Sequence, residues 1–247
     1  MCDIVCSKYK LSDVIGSGKF GIVMKAMDKA HKVFAVKLSA SDGCLLIRNE
    51  AIVLNYLNSK KCRNVPIVHW YGIYGETPCI VIPYYNCCLI NAKTPCMDLI
   101  NQMLIIIKNV HDLCVIHRDI KPENFMINHK NEVVLIDFGL ATFCLKNKVE
   151  HIERTTFTGN ILYASPNIHG FKEATKIDDI ISIAYVYIYL CSDCRLPWME
   201  LEDDEFKMGK IFNLKKIENI VLQSNFKTAK IVSIIDRFYN GIVGYDI

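Results

Sequence analysis

No apolar run in this chain reaches the roughly 18–20 residues that a membrane-crossing helix needs. The nearest, IISIAYVYIYLC at 180–191, is too short, follows Asp178 and Asp179, and reads as a buried core helix. The N-terminus, MCDIVCSKYK, lacks the basic, apolar and small-residue order of a secretory signal. A reducing intracellular location, cytoplasmic or nuclear, is therefore expected. The 12 cysteines read as buried or free thiols, not as a disulfide framework. Cys191 and Cys194 form one CxxC, but no second CxxC or His pair follows at zinc-binding spacing. Adjacent Cys87 and Cys88 read the same way. A strong charge of one sign is also missing. Twenty-nine basic and 26 acidic side chains leave a formal +3 and no concentrated basic stripe, so direct nucleic-acid binding is not expected. Lysines thicken around 207–216 and 227–230, beside ELEDDE at 200–205, and read as solvated faces. Repeats and low-complexity linkers are absent.

What is present is apolar material. Hydrophobic residues make up 51% of 247, enough for a substantial core and too much for global disorder. The length fits one large domain or two small lobes sharing a cleft. YKLSDVIGSG, GIVMKAMD and KVFAVKLS are β-branched-rich runs broken by glycines or by the polar turn DKAHK, and read as strands. LLIRNEAIVLNYLN has helical spacing, with Leu46, Glu50, Val53, Leu54 and Leu57 on one face. VPIVHWYGIYG and TPCIVIPYY return to strand character. Beyond Pro83 the pattern changes. DLINQMLIIIKNVHDLC is apolar nearly all round and predicts a deeply buried helix. FMIN and EVVLID read as two short strands, and helices dominate from Asp178 onward. The expected architecture is α+β, with the shift near residues 83–90 as the boundary.

Within the most apolar region lies IHRDIKPENF, residues 116–125. Charged groups are costly to bury unless paired or bound to something. An FMIN/EVVLID hairpin would bring the start of one strand beside the end of the other, and so Asn124 beside Asp137. Asp119 sits a few residues upstream. Hard oxygen donors on a short loop suit Mg2+.

IGSGKFGIV at 15–23 supplies Gly16, Gly18 and Gly21 in a G-x-G-x-x-G pattern that leads from strand to strand. It fits a hairpin folded over phosphates, and equally a plain glycine-rich turn. In FAVKL, Lys37 lies in an apolar strand. Glu50, on the apolar face of the next helix, can pair with it, or both can reach a ligand.

In order and spacing, IGSGKFGIV, Val36-Lys37, Glu50, HRDIKPEN and DFG resemble the protein-kinase signature set over nearly the whole chain. NVPIVHWYGIYG, IHRDIKPENFMI and TGNILYASPNIHG followed by DD resemble the casein kinase I group and its vaccinia-related cousins. That group also departs from the common Ala-Pro-Glu triplet, where this chain has Ser165, Pro166 and Asn167. The resemblance implies a single bilobal kinase domain: N-lobe 1–82 with one helix, hinge 83–86, and a larger helical C-lobe 87–247. Because this chain ends with IDRFYNGIVGYDI, shortened last helices are expected there.

The implied activity is transfer of the ATP γ-phosphate to protein Ser or Thr, with Mg2+ or Mn2+. Gly16, Ser17, Gly18, Lys19, Phe20 and Gly21 would cover the phosphates, and Ile15, Val23 and Ala35 join the nucleotide-binding set. Lys37 would hold the α- and β-phosphates and Glu50 would hold Lys37. Asn124 and Asp137 would hold the metal. Asp119 would orient the substrate hydroxyl and take its proton, with Lys121 against the γ-phosphate, an arrangement typical of Ser/Thr kinases. Ile82 would guard the adenine pocket. Pro83, having no N–H, offers only its carbonyl, and Tyr85 would donate its N–H. His117 and Phe138 would be packing residues, Arg118 would organise the loop, and Asp179 would brace it from below or simply cap its own helix.

Some positions depart. Asn160 stands where kinases usually carry Thr in the substrate-receiving loop, and it keeps hydrogen-bonding capacity. Thr142 and Leu162 occupy two positions that are basic in the casein kinase I group, so a preference for already phosphorylated substrates is not implied. Acidic protein substrates and a monomer are expected. Thr155, Thr156 and Thr158 are candidate phosphorylation sites in a loop that can also be merely Thr-rich. Abundant Ile, Asn and Lys point to an AT-rich, viral genome. The alternatives are a pseudokinase or interaction module, disfavoured because Lys37, Glu50, Asp119, Asn124 and Asp137 are all present, and a small-molecule kinase, disfavoured by the protein-substrate character of the segment from Asp137 to Pro166.

Overall fold

The computed structural model describes residues 4–18, 21–40, 43–89, 96–144, 157–199, 201 and 211. Lys19, Phe20, Thr155, Thr156, the lysine-rich stretches and the C-terminal end lie outside the described residues. The chain divides into two compact units, Met1–Ala92 with Asn124–Ala141, and Lys93–Glu123 with Thr142–Ile247.

The first unit is built on an antiparallel sheet of β1 (Ile4–Val5), β2 (Tyr9–Gly18), β3 (Gly21–Met27), β4 (Val33–Ser39), β5 (Trp70–Tyr74) and β6 (Thr77–Pro83), in the order β1-β2-β3-β4-β6-β5. Side chains alternate across a strand. Phe34, Val36 and Leu38 of β4 therefore face one way and join Tyr9, Leu11 and Val81 in one buried cluster. Phe34 meets the rings of Tyr9 and His69 edge-on, at 4.9 and 5.0 Å. Burial of each such large side chain is worth ~1.5–3 kcal/mol. Ala35 and Lys37 point to the other face, toward α1 (Cys44–Ser59).

The expected strand over 65–75 begins only at Trp70. Upstream, α1 takes its backbone groups: Asn58 Nδ2 donates to Pro66 O (3.1 Å) and Asn58 Oδ1 accepts from Val68 N (3.3 Å). Three further strands complete this unit. β9 (Phe125–Ile127) pairs with β10 (Val133–Leu135) in the register Leu135↔Phe125, and also with β7 (Cys87–Cys88). Asn64 ties the hairpin further, its Nδ2 donating to Val133 O (2.7 Å) and its carbonyl accepting from Leu135 N (3.0 Å). These bonds attach 124–141 to the first unit, although the expected boundary puts that segment in the C-terminal lobe.

The second unit contains α2 (Cys96–Asp112), β8 (Val115–Ile116), β11 (Thr142–Phe143), α3 (Pro166–His169) and α4 (Lys176–Cys191). β8 and β11 pair antiparallel, Ile116 opposite Thr142. In α4 every residue from Asp178 to Val186 is buried, as its composition predicts. Tyr185 packs edge-on against fully buried Trp198 at 5.1 Å. α2 differs from expectation. Asn101, Ile105, Lys108 and Asp112 form an exposed stripe at helical spacing, stitched by a Lys108–Asp112 pair at 2.7 Å. Ile105 alone disguises that stripe as apolar. Among the described residues, no helix is long and apolar enough to cross a membrane.

Candidate active site

In the first unit, strand register gathers the nucleotide-binding candidates. Gly16 lies opposite Val23, Val23 opposite Lys37, and Ala35 opposite Ile82. Directly opposed residues share a face, as do residues two apart. Val23, Ala35, Lys37 and Ile82 thus stand together on the α1 side of the sheet. Ile15 occupies an irregularity between the Val14 and Gly16 pairings and is exposed. Ser17 pairs with Ile22 and Gly18 with Gly21. Pro83 ends β6 opposite Phe34. Beyond it, burial pushes the Tyr85 phenol up to about 12, while Lys25 lies 5.2 Å above the Tyr84 ring.

Only one glycine of the G-x-G-x-x-G is sterically obligatory. Gly21 has φ +147°, and a Cβ there would meet Leu38 O at 2.0 Å; around Gly18 the space is open. Gly21→Ala is expected to cost ~1–3 kcal/mol from backbone strain. Gly18→Ala is expected to stay within about 0.5 kcal/mol, as exposed substitutions do. Thermal unfolding of the two variants checks this difference.

Lys37 Nζ sits between two carboxylates, Glu50 Oε2 at 2.8 Å and Asp137 Oδ1 at 2.6 Å. Burial disfavours its charge, but Glu50 and Asp137 together outweigh burial and hold the ammonium above its ordinary value. Glu50 is 1% exposed, and burial, with Asp137 nearby, pushes its carboxyl up against the pull of Lys37. The Lys37 shift follows from the surplus negative charge in the trio, whereas that of Glu50 follows first from burial, to which the Asp137 charge adds. Asn49, next to Glu50, fixes the position of α1: its Nδ2 donates to Gly139 O (2.9 Å) and Ala141 O (2.8 Å).

The predicted hairpin brings Asn124 and Asp137 to one end, where Ile136 N donates to Asn124 O at 2.8 Å. Asp137 adopts φ 64°, a left-handed conformation that Asp and Asn tolerate best. Its side chain is 36% exposed, so it can still receive a ligand. One carboxylate and one amide oxygen are hard donors. Among the described residues no group of three or more His, Cys, Asp or Glu forms a closed metal cage. The chemistry of these two donors fits a cation such as Mg2+, which would complete its shell with phosphate and water oxygens.

In the second unit, Lys121 Nζ lies 2.6 Å from Asp119 Oδ2. The loop bearing them is tied down by Asp179, which is 2% exposed. Its Oδ2 accepts from His117 N (2.7 Å) and His111 Nε2 (2.9 Å), and its Oδ1 from Arg118 N (2.9 Å). Burial would raise the Asp179 carboxyl, but the hydrogen bond and charge of His111, together with His117, hold it below its ordinary value. Asp179 thus braces the loop, while helix capping falls to Asp178. His117 and Phe138 are fully buried, as expected of packing residues. Arg118 takes φ 70°. His111, Asn49 and Asn64 were not expected. Each is a lone polar residue whose partner lies far along the chain, so no local pattern marks it.

A family model described as protein kinase domain matches residues 9–238, a span that contains every site residue named here.

Proposed function

The chain belongs to the protein kinase domain family, and from that premise we propose a Ser/Thr protein kinase of the casein kinase I kind. Kinase domains use ATP and a divalent metal; Mg2+ is proposed here, with Mn2+ as a substitute. The observation that carries an active enzyme is the intact ionic set. Lys37 lies within 2.8 Å of Glu50 and 2.6 Å of Asp137, and Lys121 within 2.6 Å of Asp119.

In this reading the backbone from Gly16 to Gly21 covers the phosphates. Ile15, Val23, Ala35 and Ile82 enclose the base, and the Pro83 carbonyl and Tyr85 N–H meet its edge. Lys37 holds the α- and β-phosphates, and Glu50 fixes Lys37. Asp137 and Asn124 hold the metal ion, which when bound spreads the charge that develops on the transferred phosphate. Asp119 orients the substrate hydroxyl and accepts its proton as the oxygen bonds to the γ-phosphorus and ADP leaves. Lys121 neutralises the moving phosphoryl group. Protein substrates, acidic ones included, are the proposed partners.

Identifying the acceptor tests the specificity. The protein is incubated with labelled ATP, Mg2+ and casein, and the phosphoamino acids are separated. Phosphoserine and phosphothreonine are expected. Dominant phosphotyrosine would overturn the Ser/Thr assignment, and labelling of small alcohols in place of casein would overturn the protein-kinase reading.

A further inference from the structure

We infer that Asp178 is a positioning residue for the substrate hydroxyl, acting through Ser165 on the segment 158–167; this rests on the kinase reading above. The segment walls the space at Asp119. One cavity is lined by Asp119 together with Thr158, Asn160, Ala164 and Asp178. At Gly159, with φ +105°, a Cβ would meet Arg118 O at 2.7 Å, so the segment lies directly against the loop that carries Asp119. In the kinase reading, a hydroxyl presented to Asp119 would pass along it.

Side chains pin this backbone group by group. Leu162 N donates to Asn160 Oδ1 (2.9 Å), Trp198 Nε1 donates to Leu162 O (2.8 Å), and His169 Nε2 bonds Ile161 O (3.1 Å). The far end is held by Asp178, 5% exposed. Its Oδ2 accepts from Thr175 N (2.6 Å), Thr175 Oγ1 (2.8 Å) and Asn167 Nδ2 (3.1 Å). Capping of α4 accounts for the two Thr175 bonds. It does not account for Oδ1, which accepts from Ser165 Oγ at 2.5 Å, or for Asn167. Ser165 Oγ in turn accepts from Ile168 N (3.2 Å), so one hydroxyl joins α4, α3 and the end of the segment. Charge-assisted bonds out of water are the strong ones.

The test compares wild type, Ser165→Ala, Asp178→Ala, the double variant and Thr175→Val, which loosens only the cap. Misplacing a reacting group slightly costs up to ~100-fold, so either single substitution at the tie should lower kcat/KM for a Ser peptide by roughly 10- to 100-fold. KM for ATP should stay within about twofold, because nucleotide binding is untouched. The double variant should be no worse than Asp178→Ala, since both remove one tie. Thr175→Val should keep wild-type peptide kinetics. Additive losses, equal effects on ATP and peptide, or wild-type peptide kinetics in the single variants would overturn the inference. A wild type without transferase activity would sink the kinase reading instead. Amide exchange at Leu162 and Ala164 then decides: much faster exchange in Ser165→Ala supports the tie, and unchanged exchange removes it.

Discussion

Asp137→Asn is expected to slow phosphate transfer by at least ~10²–10³-fold, the scale seen when one preorganised electrostatic group is removed, while the protein stays folded. Asn accepts the left-handed φ of 64° as well as Asp does, so the turn keeps its shape. The surplus negative charge disappears. Lys37 keeps Glu50 at 2.8 Å, and the buried Glu50 loses the neighbour that helps push its carboxyl up. Stability should therefore move by no more than about 1 kcal/mol, since one ion pair is exchanged for relief of repulsion. What is lost, in the proposed mechanism, is a charged ligand for the metal. Paired measurements of kcat at saturating ATP and of the thermal midpoint check both halves. A collapse of the fold would mean that Asp137 is structural.

Asp179→Asn should behave in the opposite way, with stability falling first. An amide can replace one oxygen only. With its oxygen toward His117 N and His111 Nε2, its NH2 faces the donor Arg118 N. A buried donor left without an acceptor, plus the loss of a charge-assisted set, costs about 3 kcal/mol. For a chain of this length that corresponds to a midpoint lower by roughly 6–12 °C. The same carboxylate predicts an acid effect. Its folded pKa lies below the ordinary value of about 3.9, so its contribution is complete above that value and is lost as pH falls through the depressed one. Denaturant midpoints measured across acid pH should fall less steeply for the variant than for wild type.

Much of this was legible because the chemistry is local or strongly periodic. Lys37 in an apolar strand and Glu50 on an apolar helix face each predicted a partner, and they meet. The two short runs around HKNE predicted a hairpin joining Asn124 to Asp137, and its register agrees. Two-residue strands such as β7, β8 and β11 carry no pattern of their own and exist only because a distant neighbour pairs with them. Asn49 and His111 escape notice for the same reason. The adjacent pair Asp178 and Asp179 was visible, but its division of labour was not. Helix geometry points consecutive side chains about 100° apart, and only the tertiary neighbours decide which carboxylate meets His117 N and which meets Ser165.

The most direct measurement is phosphate transfer from γ-labelled ATP to casein by the wild-type protein, with Mg2+ and again with the metal chelated, alongside ATP binding on the same preparation. Labelled serine and threonine are expected with Mg2+ and none without it. ATP bound with no label passed to casein or to the protein itself would contradict the kinase reading, and would leave a nucleotide-binding module in place of an enzyme.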